Sequence, residues 1–502
     1  MTDAGSRFHP PGPTMIEDAR LGGRWWDRAL PLALGLWGWV AALVVGLAVG
    51  NPSPSAFSLA VGVSVLAVLT VALARPFVAY LGVAASAIML VIVVLPSGKG
   101  LNLFDLLLPP LLVAAALGAM RQRAAEGDDA ESSDRHEAIR RARRRFSRAT
   151  VIYFGVVVLS IVPMFFDGRA ANGTSSLLAL IRAFEGLLLF PLGLWLLRGE
   201  RRIRLTLTMM LAASVLLLAV NVVARVVADV KRAGLSWYVN YPPWPISDPN
   251  ECAAGMLLVI VILIARQAVR PQGRNLVLAC GALVLLVLTF SRSGLLALIA
   301  VAAMLLPRAR WRWILAGGLI VAAVLPLVPS TYWERLAHTV VMQRGTFDTF
   351  SSLIRFLTWK TALTVFLHHP VLGVGYLGLE NVSYAYNDMR VKVGAESYFL
   401  EIAADVGILG LTAMGFVIAR LFQLGRTIRR VTPPGSLGHE MATLHTPLVI
   451  GLLIASLTGS NFVGMVGLGQ LALWCVLMIR AGHEALAREA APAPRMSAVT
   501  PE

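Results

Sequence analysis

The residues with the most chemistry to offer lie between Ser330 and Glu396, where a strongly apolar chain turns polar. This stretch holds Arg335, His338, Arg344, Asp348, Arg355, Lys360, His368, His369, Arg390, Lys392 and Glu396. Arg355 and Trp359 stand i, i+4, so they share one helical face, among Leu353, Ile354, Leu357, Leu363, Phe366 and Leu367. The spacing predicts an amphipathic helix lying on a membrane surface, able to hold the phosphates of a lipid-linked donor at Arg355. Glu396 stands just ahead of Tyr398-Phe399-Leu400, where the chain turns apolar again. A carboxylate there can serve as a general base, or simply favour the start of a helix. Glu401 and Asp405 follow, but at about 100° per residue they point away from Glu396, and the three do not form one cluster.

Other candidates are sparser. Arg292, in Ser291-Arg292-Ser293-Gly294, sits between two apolar runs. It reads either as an arginine snorkelling to headgroups or as a cation facing a cavity. Arg182 and Glu185 stand i, i+3 within an apolar run and are spaced to pair, whereas Arg225 has no local partner and can join Arg292 and Arg355 around an anion. Pro249 and Asn250 suit a helix entry, with a substrate role for Asn250 possible. Gly373-Val374-Gly375-Tyr376-Leu377-Gly378 spells GxGxxG, but no strand precedes it and no βαβ unit surrounds it, so the glycines are expected to permit a tight turn. The histidines lack metal-ligand spacing, and Cys252, Cys280 and Cys475 all fall in apolar runs, so neither a metal nor a disulfide framework is expected.

The elements that must position these residues are membrane helices. The 502 residues are 57% hydrophobic and 14% charged. Backbone groups in lipid need internal partners, and apolar runs supply them as helices. The runs predict an all-α, polytopic bundle of about 12–14 spans. The expected positions are 30–50, 54–74, 76–96, 104–120, 150–166, 177–197, 205–228, 251–265, 276–290, 294–307, 314–329, 398–419, 445–462 and 465–480. One set of short loops carries 23 arginines and the opposite set 5 Lys and Arg. By the positive-inside rule both termini are cytoplasmic and the 330–396 loop is extracytoplasmic. The net charge of +16 follows from this bias, and nucleic-acid binding is not expected. Residues 1–29 read as a cytoplasmic tail, 121–149 as a charged linker or helix, 30–480 as the membrane domain and 481–502 as a disordered cytoplasmic tail.

From about 240 to 480 the ordered segments resemble the bacterial O-antigen ligase and O-antigen polymerase superfamily. They are Asp248-Pro249-Asn250-Glu251-Cys252-Ala253, Leu288-Thr289-Phe290-Ser291-Arg292-Ser293-Gly294, Arg355 to Trp359 running on to His369-Pro370-Val371-Leu372-Gly373-Val374-Gly375, and Glu396-Ser397-Tyr398-Phe399-Leu400-Glu401 running on to Asp405-Val406-Gly407-Ile408-Leu409-Gly410-Leu411. The resemblance implies a GT-C-like membrane glycosyltransferase. Such proteins transfer a glycan from a polyprenyl diphosphate carrier to a hydroxyl acceptor, outside the cytoplasm, without metal or other cofactor. It places Arg292 and Arg355 on the diphosphate and puts Glu396-Ser397 where ligases of the family usually carry His, often followed by Asn.

The expected catalytic residues are therefore Glu396, Arg292 and Arg355, with Arg225, Arg344, Trp359, Lys360 and Asn250 as substrate contacts. The expected partners are a polyprenyl-diphosphate-linked glycan donor, a glycan, lipid or protein acceptor, and membrane lipids. The expected site of action is the bacterial inner membrane. Polysaccharide polymerisation with inversion is the leading expectation and ligation the alternative. A flippase for lipid-linked sugars is the competing class, although internal repeats of the kind transporters carry are not evident.

Overall fold

A computed structural model describes residues 76–89, 92–94, 100–102, 108, 111–113, 134–166, 170–231, 249–289, 291–305, 347–388, 390–457, 459 and 465–490. The expected spans 30–50, 54–74 and 314–329, most of 104–120, and the tail 1–29 lie outside the described residues. The described elements, in order, are α1 (Pro76–Met89), β1 (Ile92–Val94), β2 (Gly100–Asn102), α2 (Asp134–Phe166), α3 (Ala170–Leu196), α4 (Glu200–Lys231), α5 (Pro249–Val269), α6 (Gly273–Leu288), α7 (Arg292–Leu305), α8 (Phe347–His368), α9 (Leu379–Val382), α10 (Tyr398–Val431), α11 (Leu437–Ala455) and α12 (Met465–Ala490).

The protein is an all-α polytopic membrane bundle. Among the described residues five helices contain a segment long and apolar enough to cross a membrane: Asp134–Phe166, Ser176–Leu196, Cys252–Val269, Tyr398–Val431 and Leu437–Ala455. Local signals match the ends: Pro249 opens α5, and Ser436 caps α11 by accepting the His439 N–H. Two expectations change. The 76–96 span ends as helix at Met89, and β1 pairs antiparallel with β2. In the sequence, Pro96, Ser97 and Gly98, residue types that favour turns, lie between those strands. The tail expected from 481 is helical to Ala490, because Ala481, Ala485 and Leu486 bury one face and Glu489 pairs with Arg135 at 2.9 Å.

One apolar core runs through α1 to α7 and α10 to α12. α2 packs along α10, α3 along α12, and α11 sits among α5, α7, α10 and α12. A buried polar relay fixes three of these helices. Trp474 Nε1 donates to His445 Nδ1 at 2.9 Å, and His445 Nε2 lies 3.0 Å from the Leu421 carbonyl. Both ring nitrogens are satisfied only if the imidazole is neutral with its proton on Nε2. A side chain on Gly425 would strike this ring. His445→Ala would orphan the buried Trp474 N–H and leave a cavity. We expect it to cost about 2–4 kcal/mol, seen as a lower midpoint in thermal unfolding of the solubilised protein; an unchanged midpoint would contradict the relay.

Candidate functional site

The site begins with a break in α10. Gly407 has φ 71° and ψ −163°, which no helix contains. In an unbroken helix the carbonyls of Ala404 and Asp405 would accept the N–H groups of Ile408 and Leu409. Instead Ala404 O accepts Val374 N–H at 3.0 Å and Asp405 O accepts Gly375 N–H at 2.8 Å. The displaced donors turn to the same loop, Ile408 N–H to Pro370 O at 2.8 Å and Leu409 N–H to Val371 O at 3.4 Å. The segment 370–375 is thus stitched into the helix in place of two of its own bonds, and all four groups stay paired.

Side chains complete the stitch. The fully buried Asp405 carboxylate accepts Leu377 N–H and Leu379 N–H, each at 2.8 Å. It thereby fixes the turn and the entry to α9. Gly373 has φ 66°, and a Cβ there would strike the Asp405 backbone; one on Gly407 would strike Val371 O. Gly375, at φ 97°, lies against Met164 and the Ser160 carbonyl of α2. The GxGxxG spelling is a turn, as its surroundings in the chain suggested. Burial, then Tyr398, Glu401 and Asp405, push the Tyr376 hydroxyl well above its ordinary pKa, so it stays protonated beside these carboxylates.

The loop and α8 together present Arg355 and Glu396. Arg355 Nε donates to Glu396 Oε2 at 2.9 Å, with the arginine side chain 26% exposed and the glutamate 48%. One turn along α8, Thr358 Oγ1 lies 3.2 Å from the Ala395 carbonyl, next to Glu396 in the chain. Ser383 Oγ accepts Val393 N–H, and the Asn387 side chain bonds the backbone of Ser383 and Val391, which secures the returning segment. Glu396 itself holds φ 47°, the left-handed region that a non-glycine residue enters at a cost of about 1–3 kcal/mol. It therefore precedes α10 rather than lying on it. Tyr398 N–H is shared by the Ser456 and Gly459 carbonyls, and the Tyr398 hydroxyl meets Tyr153 at 3.0 Å. From Tyr398 an apolar cavity of about 80 Å³ runs between α2, α10 and α11, lined by Phe154, Met414, Ile418, Leu421 and Leu452.

A second construction joins the segments around 250 and 291. Ser291 and Ser293 donate to Asn250 Oδ1 at 2.7 and 2.9 Å, and Ser291 Oγ accepts Gly294 N–H at 3.0 Å, capping α7. Gly294 lies against Ala253, so α5 and α7 are close where they begin. Asn250 thus orients the turn that carries the half-buried Arg292.

The structure brings Arg355 and Glu396 together. Among the described residues Arg292 forms no ion pair with Glu396. Lys360 is exposed, 3.7 Å from Asp388. The Trp359 Nε1 is buried and has no acceptor among the described residues. Arg344 lies outside the described residues, and for Arg182 and Arg225 only the position on α3 and α4 is described. Asp405 was missed as an anchor, because its partners are backbone groups 28 and 26 residues away.

Residues 275–415 match the O-antigen ligase family model. The match covers the Ser291 turn, α8, the glycine loop, Glu396 and the break at Gly407, and it supports the O-antigen ligase and polymerase superfamily. In broad terms it supports a membrane enzyme of glycan transfer. No curated protein matches the chain.

The stitch predicts an asymmetry between two glycines of α10. Gly407→Ala should destabilise the protein by about 2 kcal/mol or more through clash and strain. Gly415→Ala, where a Cβ meets nothing within 4 Å, should be neutral or raise stability by up to about 1 kcal/mol. Paired thermal melts of the two variants check this; equal midpoints would contradict it.

Proposed function

We propose that the protein transfers a glycan from a polyprenyl diphosphate carrier to a hydroxyl acceptor at the extracytoplasmic rim of the membrane. The observation that carries this reading is the Arg355–Glu396 pair, held on a rigid loop within the family-matched stretch. Only Nε of Arg355 is engaged, and among the described residues its two Nη groups make no hydrogen bond. They are placed to take phosphate oxygens while Nε still orients the carboxylate.

In the proposed step a Glu396 oxygen takes the proton of the acceptor hydroxyl as the acceptor's oxygen bonds to the anomeric carbon. The bond from that carbon to the diphosphate breaks, and polyprenyl diphosphate leaves with the electron pair. Attack opposite the leaving group inverts the centre. Negative charge grows on the leaving diphosphate, and guanidinium groups stabilise it strongly in a partly dehydrated site. Arg355 supplies that charge, with Arg292 added on the family resemblance; Arg225 and Arg344 join on sequence grounds alone. The apolar cavity starting at Tyr398, two residues from Glu396, is large enough for about one isoprene unit. The exposed Phe356, Leu363 and Leu367 of α8 suit contact with lipid.

Polymerisation is the favoured form, because Glu396-Ser397 replaces the His of family ligases. The family model itself bears the ligase name, which favours transfer of finished glycan to a lipid or protein as the second form. Reconstitution with a carrier-linked oligosaccharide separates them: lengthened carrier-linked chains mean polymerase, product on a second acceptor means ligase, and movement without bond change sinks the proposal. Glu396→Gln should lower turnover by about 10²–10⁴-fold while the melting midpoint holds; near-wild-type turnover would remove Glu396 as base. Arg355→Ala should weaken donor binding, measured by titration with carrier lipid, and unchanged affinity would exclude Arg355 from the diphosphate site.

A further inference from the structure

The segment between α8 and Glu396 holds a second cluster of side chains, which the proposed chemical step does not use. It lies where the end of α8 meets the short turn Ser383–Ala385 that follows α9. His369 Nε2 lies 3.0 Å from the Tyr386 hydroxyl. The His368 and His369 ring centroids stand 5.3 and 6.2 Å from that of Tyr386, with the planes inclined at 62° and 78°. Neither imidazole lies flat on the phenol, so the three rings form a corner and not a stack. Both histidines are exposed and Tyr386 is half-buried.

The hydrogen bonds fix what this corner offers. His368 Nδ1 lies 2.8 Å from the Thr364 carbonyl, which can only accept, so Nδ1 carries the proton. In the neutral imidazole Nε2 is then an acceptor, and among the described residues it has no hydrogen bond. Lys360, about two turns back on α8, is opposed by Asp388 at 3.7 Å. An open acceptor beside aromatic rings suits a ligand that donates from hydroxyls and presents an apolar face. A sugar ring does both. A phosphate or carboxylate needs donors, and His368 presents a lone pair.

Position points the same way. Lys360, Thr364 and His368 follow one another around α8 at steps of about 40°, a polar strip beside the exposed apolar strip of Phe356, Leu363 and Leu367. The corner therefore borders the strip suited to lipid without entering it. His368 stands about 20 Å along α8 from Arg355, too far to touch atoms reacting at the Arg355–Glu396 pair but within reach of further sugars in the same chain. It is also held in place. Asn387, next after Tyr386, bonds the backbone of Ser383 and Val391, and Ser383 Oγ accepts Val393 N–H. A preformed surface binds at a small ordering cost. On the glycan-transfer reading, which supplies the class of ligand, we propose that His368, His369 and Tyr386 form a subsite for a sugar ring of the glycan substrate, remote from the bond being made.

The test uses the full chain in a detergent without a sugar headgroup. The probes are oligosaccharides released by mild acid from the surface polysaccharide of the bacterium that makes the protein, and polyprenyl diphosphate bearing no sugar. Saturation-transfer NMR and titration calorimetry read their binding, and the unaltered protein should bind both. Tyr386→Ala and His368→Ala should each lower oligosaccharide affinity by about fivefold or more and leave affinity for the bare carrier unchanged. Glu380→Gln, which alters an exposed carboxylate on α9, should change neither. Oligosaccharide affinity retained in both ring variants, or lost equally in Glu380→Gln, would overturn the subsite. Unaltered protein that binds the bare carrier and no oligosaccharide would overturn the subsite and leave the diphosphate assignment standing; failure to bind the carrier as well would overturn the transfer reading with it. If Tyr386→Ala fails to fold, His368→Phe decides the outcome: it keeps a ring, removes the acceptor and should still lower the affinity by about threefold.

Discussion

The site depends on an exchange of backbone hydrogen bonds at Gly407. A helix broken within a membrane leaves donors and acceptors that lipid cannot satisfy, at several kcal/mol for each group. Here the groups released on both sides of the break find partners on residues 370–375, and those residues find theirs on α10. Neither part is complete alone: without the loop, α10 would have to straighten, and without the break, the loop would lose most of its backbone partners. This mutual requirement explains why the glycines tolerate no side chain and why a fully buried carboxylate, Asp405, is retained between them. It also argues against a loop that lifts away as a lid.

What keeps Glu396 in its left-handed conformation follows from magnitudes. The backbone strain is about 1–3 kcal/mol. A half-exposed ion pair such as Arg355–Glu396 contributes about 1 kcal/mol at most. The pair alone therefore does not hold the residue. Its neighbours do: the Ala395 carbonyl meets Thr358, and Tyr398 N–H is fixed by the turn after α11. The Glu396 backbone is thus fixed independently of Arg355, and among the described residues Arg355 Nε is the group that donates to its carboxylate.

The helices, the turn at the GxGxxG spelling and the Arg355 face of α8 were legible because each depends on local pattern. Apolar length marks a membrane helix, and glycine marks positive φ. The break in α10 was not legible, since Asp405-Val406-Gly407-Ile408-Leu409-Gly410 reads as a continuing apolar helix. The role of Asp405 was hidden, because backbone N–H groups leave no mark in a sequence, and the helical spacing assumed between Glu396 and Asp405 does not apply, since Glu396 precedes α10. Asn250 read as a helix entry for the same kind of reason; its hydroxyl partners lie 41 and 43 residues on. Glu396 was placed at the right junction, but a left-handed glutamate has no compositional sign.

One element connects the two ends of the molecule. α2 begins among the arginines, where His136 meets His483, and its middle meets the site through the Tyr153–Tyr398 contact. Its far end supports the stitched loop, with Ser160 and Met164 beneath Gly375. A helix of 33 residues is about 50 Å long, and it is stiff along its axis. The charged contacts at its start therefore help to set the depth at which Gly375 rests, and through Gly375 the depth of the broken helix. Charge at one face of the bundle and geometry at the other are in this sense one constraint, because a shift of α2 by a single turn would part Tyr153 from Tyr398 and leave Gly375 facing a different surface.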